Sequence, residues 1–284
     1  MTSYIGGGVL KKLSLQRWGS GPARHQVFNG LTSLAAVLFL LAMGLPQSLS
    51  PFTLVLGVVF GLVVAGQNLA SLQALKLGPL SYTMVICSLS TLIPTVSGAI
   101  WWGETISPVQ YAGIGALVIC FVLSAGGEGA QKKASLRWML WCLVAFLSAG
   151  AIGVIQKWHQ NTPWKDEQEG FLLVALTVSA LFSGGVLALL ALRKRSEREV
   201  RSYFGLLPLG IMAVFGLCVA LNNKLNLYLA GVMDSAVFYP VMNGGTLMGT
   251  TLCACLLFRE RLTKRQWIGL AVGIVAVILL CDPF

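Results

Sequence analysis

The sequence predicts an all-α polytopic membrane protein made of two inverted five-helix repeats. The chain has 284 residues, of which 56% are hydrophobic and 11% are charged. Its mean hydropathy is +0.78, which is too apolar for a soluble domain of this length. The apolar residues fall into runs of about 20, the length of a spanning helix. One long stretch also recurs later in the chain, as expected of an internal duplication.

The duplication joins Leu80–Leu123 to Ala236–Leu279 at an offset of 156 positions, without a gap. Identical residues coincide at several places, among them Val85 and Val241, Thr95 and Thr251, Glu104 and Glu260, Gln110 and Gln266, and Gly113 and Gly269. Each copy reads as an apolar run, a polar elbow with one glutamate, and a second apolar run. We therefore predict a duplicated helical hairpin.

Nine full spans are predicted by the length of the apolar runs. They are Val27–Gly44, Phe52–Leu75, Leu80–Trp102, Val109–Gly126, Leu136–Trp158, Gly170–Leu192, Phe204–Leu229, Ser235–Phe258 and Gln266–Cys281. Residues Gly8–Lys12 match Gly153–Lys157 at an offset of 145, so the chain is expected to begin partway through a first helix. This gives a first repeat over residues 1–127, with its first helix incomplete, and a second repeat over residues 135–284.

The basic residues predict the orientation in the membrane. Seventeen of the 20 fall in links on one side, which makes that side cytoplasmic. They are Lys11, Lys12, Arg17, Arg24, Lys76, Lys132, Lys133, Arg137, Arg193, Lys194, Arg195, Arg198, Arg201, Arg259, Arg261, Lys264 and Arg265. We expect an inner-membrane protein with an external C-terminus. An odd number of spans per repeat places the two repeats upside down relative to each other.

Composition argues against several other classes of protein. The net charge of +10 lies in short links rather than in a patch with interleaved aromatic residues, so no nucleic-acid partner is expected. The seven cysteines show no CxxC or Cys/His spacing, which predicts no metal site. No cofactor is expected, and the expected partners are a small-molecule solute and the lipid bilayer. The sequence leaves the oligomeric state open.

The two elbows, Trp102–Gly113 and Phe258–Gly269, resemble those of the drug/metabolite transporter superfamily, in particular its EamA-like ten-helix branch. The resemblance covers nearly the whole chain. It implies secondary transport, with amino acids, other metabolites, sugar nucleotides and drugs among the substrates of the superfamily. Two features depart from the family pattern: the incomplete first helix and the unusually basic second elbow.

Polar side chains inside the spans are the candidate binding residues, because such groups at membrane depth usually face the protein interior or water. The predicted substrate-binding residues are Asn68, Asn223, Lys224, Tyr239 and Asn243, in a cavity between the two halves, with Trp101 or Tyr82 as an apolar wall. The ammonium of Lys224 favours an anionic or zwitterionic metabolite. The alternative is that these groups snorkel to the interface or join helices.

The glutamates of the elbows are expected to be structural, each accepting hydrogen bonds from backbone or basic groups near a helix N-terminus. Lys157, at a helix end, is expected to snorkel to the interface. No aspartate or glutamate falls in the middle of a span, and Glu169 is assigned to a link. The sequence therefore gives no support for a proton relay of carboxylates.

Two classes of function remain. The first is a secondary transporter of a small metabolite, an amino acid or related organic solute, with import and export both open. The alternative is a membrane-embedded enzyme or a scaffold without transport activity. No catalytic residues are predicted, because the two histidines, His25 and His159, show no acidic cluster or metal spacing.

Overall fold

The computed structural model describes residues 22–44, 46, 48–78, 80–124, 135–192, 206–258 and 263–281. These residues form ten α-helices and one 3₁₀ turn, Lys165–Glu167. The helices are α1 (Pro22–Met43), α2 (Pro51–Leu77), α3 (Leu80–Leu89), α4 (Leu92–Trp101), α5 (Pro108–Ser124), α6 (Leu136–Gln160), α7 (Gln168–Leu192), α8 (Leu206–Val232), α9 (Ser235–Phe258) and α10 (Lys264–Leu280). The predicted N-terminal half-helix, the Arg193–Arg201 link, Glu260 and the last three residues lie outside the described part.

The described parts of all nine predicted spans are largely helical, and the chain is an all-α polytopic membrane protein. Five of the described helices are long and apolar enough to cross a membrane, and two shorter apolar helical stretches, Val85–Trp101 and Pro108–Leu123, accompany them. A helix suits a span because it satisfies every backbone hydrogen bond within one segment. Hydropathy therefore located the helices well.

The predicted span Leu80–Trp102 is divided into α3 and α4 by a turn at Ser90 and Thr91. Pro94 is the cause, because it has no N–H to donate to the carbonyl four residues earlier. The carbonyl of Ser90 instead accepts from the backbone N–H of Ile93, at 3.1 Å. Broken helices of this kind provide polar backbone at membrane depth.

Large apolar side chains point outward along most helices. Leu38, Ile100, Leu181 and Ile278 are each at least 60% exposed. In water such a surface would be unfavourable, whereas lipid solvates it without cost. The outer surface of the helices is thus suited to a bilayer.

The chain divides into two compact units. Unit 1 comprises residues 1–65 and 159–228, and unit 2 comprises residues 66–158 and 229–284. The units do not coincide with the two sequence repeats, since each unit takes segments from both.

Unit 1 is built on the packing of α1 along α7 and of α2 against α7. A methyl group on Gly61 would lie 2.5 Å from the carbonyl oxygen of Ala175, so the two backbones approach closely only because Gly61 has no side chain. Val27, Phe28 and Met212 form an adjacent apolar core. Gly57 and Gly61 thus form a small-residue seam along α7, while Gly66 has no atom within 4 Å of the position a methyl group would take.

Unit 2 is built on two helix pairs, α5 with α10 and α4 with α9. Gly113, one of the repeated residues, lets α10 approach, because a methyl group there would lie 2.9 Å from Leu280 Cγ. Leu117, Phe121 and Ala276 form the core of this pair. The repeated glycine thus has a packing role.

Candidate functional site

In unit 1, Lys224 on α8 forms an ion pair with Glu169. The Nζ of Lys224 lies 2.6 Å from Oε1 of Glu169, and the two side chains are 34% and 40% exposed. Glu169 was assigned to a link from the sequence, but the structure places it in the first turn of α7, where the helix dipole stabilises a carboxylate. Lys224 is therefore a neutralised cation rather than the free ammonium that the sequence suggested.

The exposed residues of α8 show which side of this helix suits lipid. Leu209, 40% exposed, lies in the first turn of the helix and on another side of it, and the other exposed apolar side chains are Val214, Leu221, Leu225, Tyr228 and Val232. At about 100° per residue, they cover an arc of about 60°. On the same wheel Asn223 lies nearly opposite the centre of that arc, and Lys224 lies on its flank, about 70° away.

Asn223 is half-buried, and its accessible surface therefore faces away from the lipid side of α8. Its amide nitrogen donates to the carbonyl of Val219, one turn earlier, at 2.8 Å. This bond uses one of the two N–H donors of the carboxamide. Asn223 and Lys224 thus offer an amide and a paired charge on neighbouring positions of unit 1.

A second set of polar side chains in unit 1, His159 and Gln160, lies at the C-terminal end of α6. His159 is fully buried and packs against Phe171, with ring centroids 4.5 Å apart. Its Nδ1 lies 3.3 Å from Nε2 of Gln160. Within the described residues its Nε2 is the one buried side-chain polar atom without a hydrogen-bond partner. The described residues contain no cluster of metal-ligating side chains.

In unit 2, Asn243 joins α9 to the turn between α3 and α4. Its amide nitrogen donates to Thr91 Oγ1 and to the carbonyl of Tyr239, both at 3.1 Å. Tyr239 is 6% exposed, and its hydroxyl donates to the carbonyl of Gly153 at 2.6 Å. Both side chains join helices in this structure, as the sequence-based alternative anticipated. Asn68, half-buried on α2, also belongs to unit 2.

Of the two aromatic residues considered as an apolar wall, only Trp101 has a side chain that the structure describes. Trp101 ends α4, is 65% exposed and meets Trp102 edge to face. Tyr82 lies on α3, and its side chain is outside the described part. The five predicted site residues therefore divide between the units: Asn223 and Lys224 in unit 1, and Asn68, Tyr239 and Asn243 in unit 2.

Unit 2 also contains a second ion pair, between Lys157 at the end of α6 and Glu104 after α4. Nζ of Lys157 lies 2.6 Å from Oε1 of Glu104, and the side chains are only 6% and 9% exposed. Lys157 also donates to the carbonyl of Met233 at 2.8 Å, and Glu104 accepts from the backbone N–H of Ser235 at 2.7 Å. The sequence-based expectation that Lys157 snorkels is wrong, because its ammonium is buried and paired.

Gly98 and Gly103 bring Glu104 to this position. Gly103 has a φ of +65°, which an L side chain rarely adopts, and it ends α4. Any side chain on Gly98 would overlap the Glu104 carboxylate. The structural role expected of Glu104 is confirmed, with one difference: the helix whose N-terminus it caps is α9, not the next helix in the chain.

The repeated glutamines begin the second helix of each hairpin. Ser107 and Gln110 exchange side-chain to backbone hydrogen bonds of 3.0 and 3.2 Å at the start of α5. Thr263 and Gln266 form the same capping box at α10. The pattern of Ser or Thr followed three residues later by Gln could have revealed this role from the sequence, but it was missed.

Residues 136–281 match the sequence model of the EamA-like transporter family. This match covers just over half of the chain. The chain belongs to the EamA-like transporter family. It is thus a membrane transporter of the drug/metabolite type, and its partners include a small-molecule solute and the lipid bilayer. A comparison of this EamA-like chain with curated proteins found no match.

A protein of known crystal structure has the same fold as this EamA-like transporter. The similarity has a TM-score of 0.73 at 16% sequence identity, and it covers 99% of this chain and 94% of the other. At this identity the likeness concerns the fold alone. The resemblance seen in the two elbows is thereby confirmed for both family and fold.

Proposed function

We propose that this EamA-like protein is a secondary transporter of a small metabolite, an amino acid or related organic solute, and that it is not an enzyme. The observation that carries the proposal is the accessible Lys224–Glu169 pair beside Asn223. Ionised groups at membrane depth are costly and usually mark a substrate or ion pathway. A side-by-side ammonium and carboxylate can also bind the carboxylate and ammonium of one zwitterion.

The proposed mechanism is alternating access between the first repeat, residues 1–127, and the second, inverted repeat, residues 135–284. Inverted repeats can exchange conformations, so that one site opens in turn to each side of the membrane. In this proposal Asn68, Asn223, Lys224, Tyr239 and Asn243 contact the substrate during the cycle. The break between α3 and α4 supports a site in this type of fold, because transporters of this kind often form their sites at interrupted helices.

The test combines binding and transport with purified protein. Ligands that bind the folded state raise its apparent melting temperature, so a panel of metabolites and amino acids in detergent would identify a chemical class. Uptake of the hits into proteoliposomes, without chemical change, would support transport over an enzyme or scaffold. Loss of uptake in Lys224→Met and Asn243→Leu, with normal membrane insertion, is expected. Full activity in both variants would remove these residues from the site.

We also propose an inner-membrane location with the basic links cytoplasmic and the C-terminus external. The support is the bias of Lys and Arg toward one set of links. Cysteines introduced at 196 and 284 of a cysteine-free variant can be probed in intact cells with an impermeant thiol reagent. We expect labelling at 284 alone, and labelling at 196 alone would reverse the orientation.

A further inference from the structure

The ion pair of unit 1 determines the net charge of the empty site. Lys224 and Glu169 lie 2.6 Å apart, so their charges cancel locally. During passage through the low-dielectric part of the membrane, an unpaired ammonium or carboxylate is strongly unfavourable, whereas a paired one is much less so. With Glu169 present, the empty site carries no unpaired charge.

A carrier that alternates must return after it releases its substrate. If the empty site held a lone ammonium, the return would require that charge to pass through the low-dielectric part of the membrane unpaired. Such a carrier would return only with an anion or another substrate bound, and it would therefore catalyse exchange. An internal counter-ion removes this requirement.

We propose that Glu169 is the internal counter-ion of Lys224, released when substrate binds and recovered when substrate leaves, so that the empty carrier returns alone. The inference rests on the proposed transport function. A zwitterion suits this exchange of partners, because its carboxylate takes Lys224 and its ammonium takes Glu169. The loaded and empty sites are then both neutral, whereas a singly charged solute leaves one partner unpaired.

The position of the pair is compatible with an exchange of partners. Both side chains are partly exposed, at 34% and 40%, so a solute can reach them. Glu169 keeps a favourable place in the first turn of α7 after it releases Lys224, because the helix N-terminus still stabilises its charge. Asn223, on the face of α8 away from lipid, can donate its second amide hydrogen to a substrate carboxylate.

The experiment measures two modes of transport in proteoliposomes with a mixture of ¹⁴C-labelled L-amino acids. Net uptake uses empty vesicles, and exchange uses vesicles loaded with the same unlabelled mixture. The wild-type protein is expected to perform both. In Glu169→Gln the empty site carries the lone Lys224 ammonium, and a site loaded with a zwitterion carries the lone ammonium of the substrate. Net uptake and exchange of amino acids should therefore both fall by at least ~10-fold. Exchange of ¹⁴C-labelled 2-oxo acids, whose carboxylate pairs with Lys224 and which have no ammonium, should at least equal that of the wild-type protein.

Asp166→Asn is the matched control. It removes the same charge from the exposed turn that precedes α7, and both modes should stay at the wild-type level. Glu169→Asp, which keeps the carboxylate, should restore net uptake at least in part. Thermal unfolding of each variant checks that the protein is folded.

The outcomes separate this inference from the proposed function. Amino-acid transport at the wild-type level in Glu169→Gln, or a loss of 2-oxo acid exchange equal to the loss of amino-acid exchange, would overturn the counter-ion role while leaving the proposed transport by the wild-type protein intact. Exchange without net uptake in the wild-type protein would also overturn it. If folded wild-type protein moved no amino acid in either mode, both this inference and the proposed amino-acid substrate would be wrong.

Discussion

The two ion pairs of this transporter have the same N–O distance but differ in solvent exposure. Both measure 2.6 Å, but the Lys157–Glu104 pair is at most 9% exposed, whereas the Lys224–Glu169 pair is at least 34% exposed. The buried pair gains further hydrogen bonds from Met233 and Ser235. A fully bonded, buried pair has no capacity for a ligand, while an accessible one can change partners. The difference supports a structural role for the buried pair and the proposed functional role for the accessible one.

The duplicated residues have structural roles, like the buried ion pair. Glu104 caps α9, Gln110 and Gln266 complete capping boxes, and Gly113 allows two helices to approach. Lys224 and Asn223 lie outside the duplicated stretch. The identical residues of the repeat thus preserve joints of the scaffold, whereas the residues proposed to contact the substrate, Asn68, Asn223, Lys224, Tyr239 and Asn243, are not among them.

Breaking the buried pair should have the largest effect on stability. Lys157→Met leaves the Glu104 carboxylate buried without its cation, which typically costs about 3–5 kcal/mol. We expect a large fall in the apparent melting temperature in detergent. Adding Glu104→Gln should recover part of the loss, because the two side chains are coupled. A loss in the double variant equal to the sum of the single losses would contradict this coupling.

Close packing gives the next largest effect, and α2 offers a matched pair of glycines. Gly61→Ala would force a methyl group against the Ala175 carbonyl and should cost about 1–3 kcal/mol. Gly66→Ala meets open space and should be neutral or stabilise α2 by up to about 1 kcal/mol. Unfolding temperatures of the two variants measure the difference. Equal temperatures would show that the seam between α2 and α7 is not tightly packed.

The two capping boxes should contribute similar, smaller amounts. Ser107→Ala and Thr263→Ala each remove a side-chain acceptor at the start of a helix, at a cost of about 1 kcal/mol. Denaturation in detergent should show equal shifts for the two variants. A loss well above this value at either position would indicate a further contact of that side chain.

Breaking the accessible pair should have the smallest effect on stability and a large effect on activity. Exposed ion pairs contribute about 0–1 kcal/mol, so Lys224→Met should unfold close to the wild-type temperature. Uptake in proteoliposomes should nevertheless be lost, because the substrate carboxylate loses its partner. A variant as unstable as Lys157→Met would mean that the two pairs do not differ in role.

Several expectations from the sequence failed for a common reason. Hydropathy placed Glu169 in a link and Lys157 at the membrane interface. It averages over neighbouring residues in the sequence and takes no account of residues that are distant in the sequence but close in space. Lys157 instead pairs with a carboxylate 53 positions away. Such partners are set by which helices pack together. The capping boxes are a different case, because their spacing was present in the sequence and needed no tertiary information.

The sequence by itself determined the helices, the duplication and the family. In a bilayer the length of an apolar run decides where a helix forms, because no other local structure satisfies the backbone there. Only the tertiary structure decided which carboxylates pair with Lys157 and Lys224. It also decided that Asn243 contacts the turn between α3 and α4. Those partners come from different parts of the chain. Which helices meet depends on how they pack, and a residue's neighbours in the sequence do not show this.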